Sequence, residues 1–170
     1  RMKYYIDHRI EPAYSSYRLL EADSCALSTY QMQGPFEVIA RLGVNKHTKR
    51  PSEDDHKAAY LNALMWTLTG DEAHARKSIE ILNAYSAMLK LIGPNDNDDP
   101  LCASLQGSML ANAAELIKHT YSKVTPAEIA GWEKMLRTVF IPVLDTFFKA
   151  KPYTNGNWGA AATKAYMAFG

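Results

Sequence analysis

From residue 51 onward the chain carries helix stop and start signals at short intervals. They confine it to a succession of helices joined by turns. Pro51-Ser52-Glu53-Asp54-Asp55 reads as a helix start, with Ser52 as N-cap and acids in the first turn, where the helix dipole favours them. That helix is expected to run to Leu68 and stop at Gly70. Asp71 then caps a second helix, expected to reach about Leu91 before Gly93-Pro94 stops it. Asp99-Pro100 sets an N-cap before proline at the first helical position, and a third helix runs to about Tyr121. Thr125-Pro126-Ala127-Glu128 has the form of a capping box. It opens a fourth helix to about Lys149, with a kink expected at Pro142. A fifth starts near Asn157.

The faces of these helices alternate in character. Residues 58–68, much of 101–117, and 158–169 are apolar nearly all round, as helices buried on most sides are. The second helix carries a polar stripe at Glu72, Arg76, Glu80 and Asn83, opposite Ile79, Leu82 and Leu89. The fourth keeps Glu133, Lys134 and Arg137 away from Ile129, Trp132 and Leu136. The order is therefore inner, outer, inner, outer, inner. Inner-to-outer links are short, while outer-to-inner links (93–99 and 150–155) are long and polar. In a ring of antiparallel hairpins the long links share one rim, and functional residues concentrate on such loops. The stretch from Leu42 to Pro51 also leads into an inner helix and belongs to the same rim.

The first 50 residues are less periodic. A helix over Ala13–Leu27 is expected, then a loop over Gln31–Pro35 and a basic, turn-rich stretch over Asn45–Pro51. With 47% hydrophobic and 22% charged residues, the chain of 170 residues is globular and large enough for one domain with a real core. A net charge of +1 argues against a nucleic-acid partner, and no apolar run approaches the roughly 18 residues of a membrane span. The chain opens at Arg1-Met2-Lys3 and stops inside an apolar helical pattern at Ala168-Phe169-Gly170. It is expected to be the N-terminal portion of a larger domain. Cys25 and Cys102 admit one disulfide or two buried small hydrophobes. No Cys/His spacing matches a zinc site. Asn95 to Asp99 faintly suggests a calcium loop, but Pro100 stands where glycine is needed, which favours a loop and cap. No metal and no cofactor is expected.

Four segments, in order, carry a resemblance. Residues 59–71 (Ala-Tyr-Leu-Asn-Ala-Leu-Met-Trp-Thr-Leu-Thr-Gly-Asp) resemble the "AL-W-TGD" hairpin of the alginate lyase domain superfamily. Residues 77–86 resemble its following helix, 110–117 its "AAE-hydrophobic" helix, and Asn155-Gly156-Asn157-Trp158-Gly159 its catalytic-loop segment. The likeness covers roughly residues 50 to 170. It implies an all-α fold, an α/α toroid of antiparallel hairpins, and β-elimination on a uronic-acid polysaccharide such as alginate or glucuronan. It also implies an anionic polysaccharide as partner, a secreted or periplasmic location, and a chain continuing beyond Gly170. Where classical alginate lyases of this fold carry Asn-Asn-His, this chain has Asn-Gly-Asn-Trp. The histidine is missing from the motif, so the catalytic base is expected from elsewhere, beyond residue 170.

That chemistry needs a donor facing the substrate carboxylate. Removing the C5 proton of a uronate builds negative charge on the carboxyl oxygens, and an Asn amide donates hydrogen bonds there without adding a competing base. Asn157, just before a helix whose N-terminus adds positive potential, meets both demands, with Asn155 beside it. Locally, Asn155-Gly156 also reads as a turn and Asn157 as an N-cap. Tyr153 and Trp158 flank this loop and suit stacking on sugar rings; Tyr60 and Trp66 suit the core better. Gln106, near the start of an inner helix, reads as a hydroxyl or carboxylate ligand or as a satisfied buried amide. His56, near the presumed rim, is the one histidine placed as a substrate contact; His74 and His119 read as solvated. Lys46, Lys49 and Arg50 read as a solvated basic loop or an anionic-substrate rim. Two other functions fit the composition. One is a glycoside hydrolase on a similar toroid, which needs a carboxylate pair that Asp98 and Asp99 supply poorly. The other is a non-catalytic helical glycan-binding module.

Overall fold

The computed structural model describes residues 1–94, 97–150 and 156–170. It is predominantly helical: α1 (Met2–Asp7), α2 (Ala13–Glu21), α3 (Lys49–Thr69), α4 (Glu72–Met88), α5 (Asp99–Thr120), α6 (Pro126–Met135), α7 (Ile141–Lys149) and α8 (Asn157–Phe169). Two short strands, β1 (Val38–Ile39) and β2 (Leu91–Ile92), pair in parallel, Val38 with Leu91 and Ile39 with Ile92.

Most of the local signals act as expected. Gly70 closes α3 in the left-handed conformation, with its N–H bonded to the Trp66 carbonyl. The Asp71 carboxylate accepts from Ala73 N at the start of α4. Thr125 and Glu128 form the full capping box of α6. Five features differ. α3 begins at Lys49, so Ser52 lies inside the helix, buried, with its hydroxyl donating to the Lys49 carbonyl. The first turn is thus basic, and Asp55 falls in the second turn. α4 stops at Met88 because residues 91–92 extend to pair with β1, a non-local partner that no local pattern reveals. Asp98 rather than Asp99 is the residue before α5. The fourth helical stretch is interrupted before Pro142 by a π-helical turn, Leu136–Phe140, and α2 ends at Glu21.

Side-chain pairs fix the packing direction. Ser78 donates to the Ala59 carbonyl and His74 meets Asn62, so α3 and α4 are antiparallel. Trp66 Nε1 donates to Thr120 Oγ1 at 2.9 Å, while the side chains of His56 and Gln106 meet one level nearer the helix starts, so α3 and α5 run parallel. Lys118 pairs with Glu133 and Gly107 lies against Phe140, so α6–α7 returns antiparallel to α5. α8 then packs along α5 from the end where α5 starts. Its C-terminal residues, Ala168 to Gly170, share a cleft with Ala111 and Ala114. The N-termini of α3, α5 and α8 therefore lie at one end.

The core lies in the α3–α4–α5 seams, with Ile81, Leu82, Tyr85, Leu110, Ile117, Trp132 and Phe140 among its closed side chains. Small residues let α8 approach α5: Gly159, Ala162 and Ala165 form its buried face. The opposite face of α8 is open, with Met167 79% exposed, so this helix is buried on one side rather than on most sides. The N-terminal segment is held by polar ties. Asn62 Nδ2 donates to the carbonyls of Cys25 and Leu27 at 3.0 and 3.3 Å, and Lys57 reaches Asp23 at 2.6 Å. Cys25 and Cys102 are buried free thiols. Among the described residues, no helix is long and apolar enough to cross a membrane.

Candidate functional site

The end of the molecule where α3, α5 and α8 begin holds the described candidates. Asn157 is exposed and is the first residue of α8, with Gly156 (φ 123°) as the residue before the helix, so Asn157 is not the N-cap. Its Oδ1 accepts from Trp158 N at 3.0 Å. That bond fixes the amide orientation, because only the carbonyl end can accept from a backbone N–H. The Nδ2 hydrogens point away from it, and no protein acceptor holds them among the described residues. The exposed end of Asn157 is thus a donor pair at a helix N-terminus, where developing negative charge is favoured. Trp158 is half-buried against the core, leaving only part of its indole for a ligand. Asn155 and Tyr153 lie outside the described residues.

His56 and Gln106 are brought together, but not at the surface. They face each other in the α3–α5 seam, at 0% and 1% exposure. Placed on a rim they would touch substrate; here the seam covers them, and direct contact with a polymer would require it to open. The His56 ring stands edge-on to Tyr85, centroids 4.3 Å apart. Neither ring nitrogen, nor Gln106 Oε1, completes a hydrogen bond, and Gln106 Nε2 turns instead to Cys102 Sγ at 3.3 Å. Burial drives the imidazole pKa down to about 3, with the Gln106 side chain opposing it. At neutral pH His56 is an uncharged ring.

Beneath it lies a hub with no local sequence signal. The Asp55 carboxylate, fully buried, accepts from Tyr30 Oη (2.8 Å), Gln33 N (2.9 Å), Gly34 N (2.8 Å) and Tyr85 Oη (2.7 Å). Four donors replace the water that an ionised carboxylate loses on burial. Burial and the adjacent carboxylate raise the pKa of both phenols well above the ordinary tyrosine value.

Arg41, just after β1, bridges the starts of α3 and α5: Nη1 lies 2.7 Å from Glu53 and Nε 3.2 Å from Asp98. Tyr60 and Trp66 pack against the core. His74 is not simply solvated; its Nδ1 lies 2.7 Å from Asn62 Oδ1. Because Asn62 Nδ2 faces three carbonyls, its oxygen must be the acceptor, so His74 Nδ1 carries the proton. His119 is exposed beside Glu115. An apolar groove of about 650 Å³ lies away from these residues, between α1, α2 and the later turns of α3 at Leu64 and Leu68. No group of three or more His, Cys, Asp or Glu side chains suited to a metal occurs among the described residues. Compared with protein-family models, curated proteins and solved structures, the chain finds no match.

Proposed function

We propose that this chain forms part of a polysaccharide lyase that cleaves a uronic-acid polymer by β-elimination, with its hairpins arranged as part of an α/α toroid. The reading rests on the Asn-Gly-Asn-Trp segment and its resemblance to the alginate lyase domain superfamily. The observation that supports it is the orientation of Asn157, an exposed residue whose oxygen is tied to the helix and whose N–H₂ group has no protein acceptor among the described residues, at the end where three helices start.

In this mechanism the substrate carboxylate accepts from Asn157 Nδ2, and the α8 N-terminus adds positive potential. Both favour the aci-carboxylate form that develops as the C5 proton leaves. A base takes that proton, the electron pair forms the C4=C5 double bond, and the C4–O bond breaks as an acid protonates the departing glycosidic oxygen. His56 is not assigned to either step, because it is buried and neutral. We assign the base and the acid to groups outside these 170 residues. The polymer is alginate or glucuronan, and the protein acts outside the cytoplasm, where such polymers occur.

The test is ultraviolet absorbance of the complete protein incubated separately with glucuronan, polymannuronate and polyguluronate. A growing signal from the conjugated C4=C5 product establishes elimination and ranks the substrates. A folded protein that gives no signal on any of the three removes this reading.

A further inference from the structure

Residues 41–50 contain Arg41, Lys46, Lys49 and Arg50 and no acid; since the whole chain carries +1, all other residues together sum to −3. This concentration falls where local electrostatics oppose it. Lys49 and Arg50 occupy the first turn of α3, which holds no acidic residue. A helix N-terminus carries positive potential and ordinarily attracts Asp or Glu. The local compensation is partial, since Asp54 pairs with Arg50 but not with the lysines, and the remaining charge points to a ligand that supplies its counterpart.

The neighbouring acids are already engaged. Glu53 and Asp98 hold Arg41, and Asp54 holds Arg50 at 3.0 Å. Lys46, His47 and Lys49 have no ion pair among the described residues. The segment is also held in shape. Thr48, buried, accepts from Ala40 N at 3.1 Å and donates to the Asn45 carbonyl at 2.8 Å. Before it, Leu42 and Val44 are 50% and 89% exposed, an apolar ridge beside the lysines.

We propose that residues 42–50 form a binding surface for the charged polymer itself, made of residues other than those assigned to the bond that is cut. Lys46 and Lys49, with His47 beside them, take uronate carboxylates, and Val44 and Leu42 lie against the C–H faces of the sugar rings. Arg41 and Asp98 hold this surface to the start of α5, at the end where Asn157 stands. The inference rests on the polyuronate reading above, which names the polymer.

The experiment measures binding of the chain to polyglucuronate, to dextran sulfate and to neutral dextran by affinity electrophoresis over a range of salt. The variants are Lys46→Ala/Lys49→Ala and, for the ridge, Val44→Ser. The wild-type chain is expected to bind polyglucuronate, with affinity falling as salt rises, and to ignore neutral dextran. The double variant is expected to bind about tenfold more weakly at low salt, with a shallower salt dependence. Val44→Ser is expected to weaken binding without changing that dependence. All three positions are exposed or half-exposed, so loss of fold is not expected, and circular dichroism checks it. Unchanged polyglucuronate binding in the double variant overturns the proposal, as does binding of neither polyanion by the wild type. Binding of dextran sulfate alone, through the same lysines, keeps the anion surface and removes the polyuronate reading.

Discussion

A β-carbon on Gly34 would lie 2.6 Å from the Tyr85 hydroxyl oxygen, inside contact distance of the group that donates to buried Asp55. Gly34 also donates its own N–H to the same carboxylate. Gly34→Ala is therefore expected to displace the Tyr85 hydroxyl or the loop, and in either case to strip a donor from a buried anion. The expected loss is about 2–4 kcal/mol in urea unfolding. Tyr85→Phe removes one donor of four without overpacking and is expected to cost about 1–3 kcal/mol. Equal stability of Gly34→Ala and the parent chain would show that the hub does not hold the loop.

His56 sets a pH dependence whose sign is fixed. Its folded pKa, about 3, lies below the ordinary value of 6.5. Between those two values the unfolded chain binds a proton that the folded chain does not, so stability is full above about pH 6.5 and falls as pH drops toward 3. The expected slope is about 1.4 kcal/mol per pH unit. Burial lowers His74 in the same direction. The lowered carboxylates, Asp23 and Glu128 among them, titrate from ordinary values of 3.8 and 4.5, so they act only in the lower part of this window. Unfolding measured from pH 7 to 5 isolates the histidines. His56→Gln is expected to flatten most of the slope; an unchanged slope would assign it elsewhere.

Gly107 marks the closest approach around α5. A β-carbon there would meet Phe140 Cδ1 and Phe169 Cζ, each at 2.8 Å. Phe140 is fully buried in the π-helical turn and has no room to yield, whereas Phe169 sits at the end of α8. Gly107→Ala is expected to destabilise by about 1–3 kcal/mol despite alanine's better helix propensity. Adding Phe169→Ala is expected to recover only part of the loss, because the Phe140 contact remains. Full recovery in the double variant would show that Phe169 alone is the obstacle.

What could be read from residues alone follows the range of the interactions. Gly70, Asp71 and the Thr125–Glu128 box act within one turn of themselves, so their roles are written in adjacent residues. Ser52 misled because a proline followed by a serine and acids imitates a helix start, while the preceding basic residues are already helical. The end of α4 depends on Val38 and Ile39, which lie some fifty positions earlier in the chain. The partners of Asp55 come from two separate segments, residues 30–34 and Tyr85, and nothing near Asp55 announces them. His56 and Gln106 each stood out as polar residues on apolar helices, but only packing shows that they face each other and are covered. Asn157 is a candidate through its neighbours in the chain, while the direction of its amide requires the bond to Trp158.

Glu128 does more than cap α6. Oε2 accepts from Thr125 N at 2.8 Å, and Asn83 Nδ2 donates to Oε1 at 2.9 Å, while Asn83 Oδ1 accepts from buried Trp132 at 2.8 Å. Thr125→Ala is expected to cost about 1 kcal/mol, as loss of a cap does. Glu128→Ala is expected to cost about 2 kcal/mol, because it also leaves the Asn83 amide half-buried without its acceptor. A double-mutant cycle of Glu128→Ala with Asn83→Ala should return a coupling of about 1 kcal/mol. A coupling near zero would reduce Glu128 to a cap alone.

Asn157 offers a substitution that separates chemistry from folding. In Asn157→Asp the carboxylate still accepts from Trp158 N, and an acid in the first turn of α8 suits the helix dipole. Stability is therefore expected to be unchanged, or to rise by about 0.3–1 kcal/mol. The outward donor pair, however, becomes an acceptor facing the substrate carboxylate, so turnover of a polyuronate by the complete protein is expected to fall about 10²–10³-fold. Asn157→Ala removes both features and is expected to lose activity to a similar extent, with a small loss of stability. If Asn157 is only a local turn residue, the two variants should instead separate by stability, and Asn157→Asp should keep its turnover. Initial rates and urea unfolding of both variants, run side by side, decide between carboxylate recognition and helix capping.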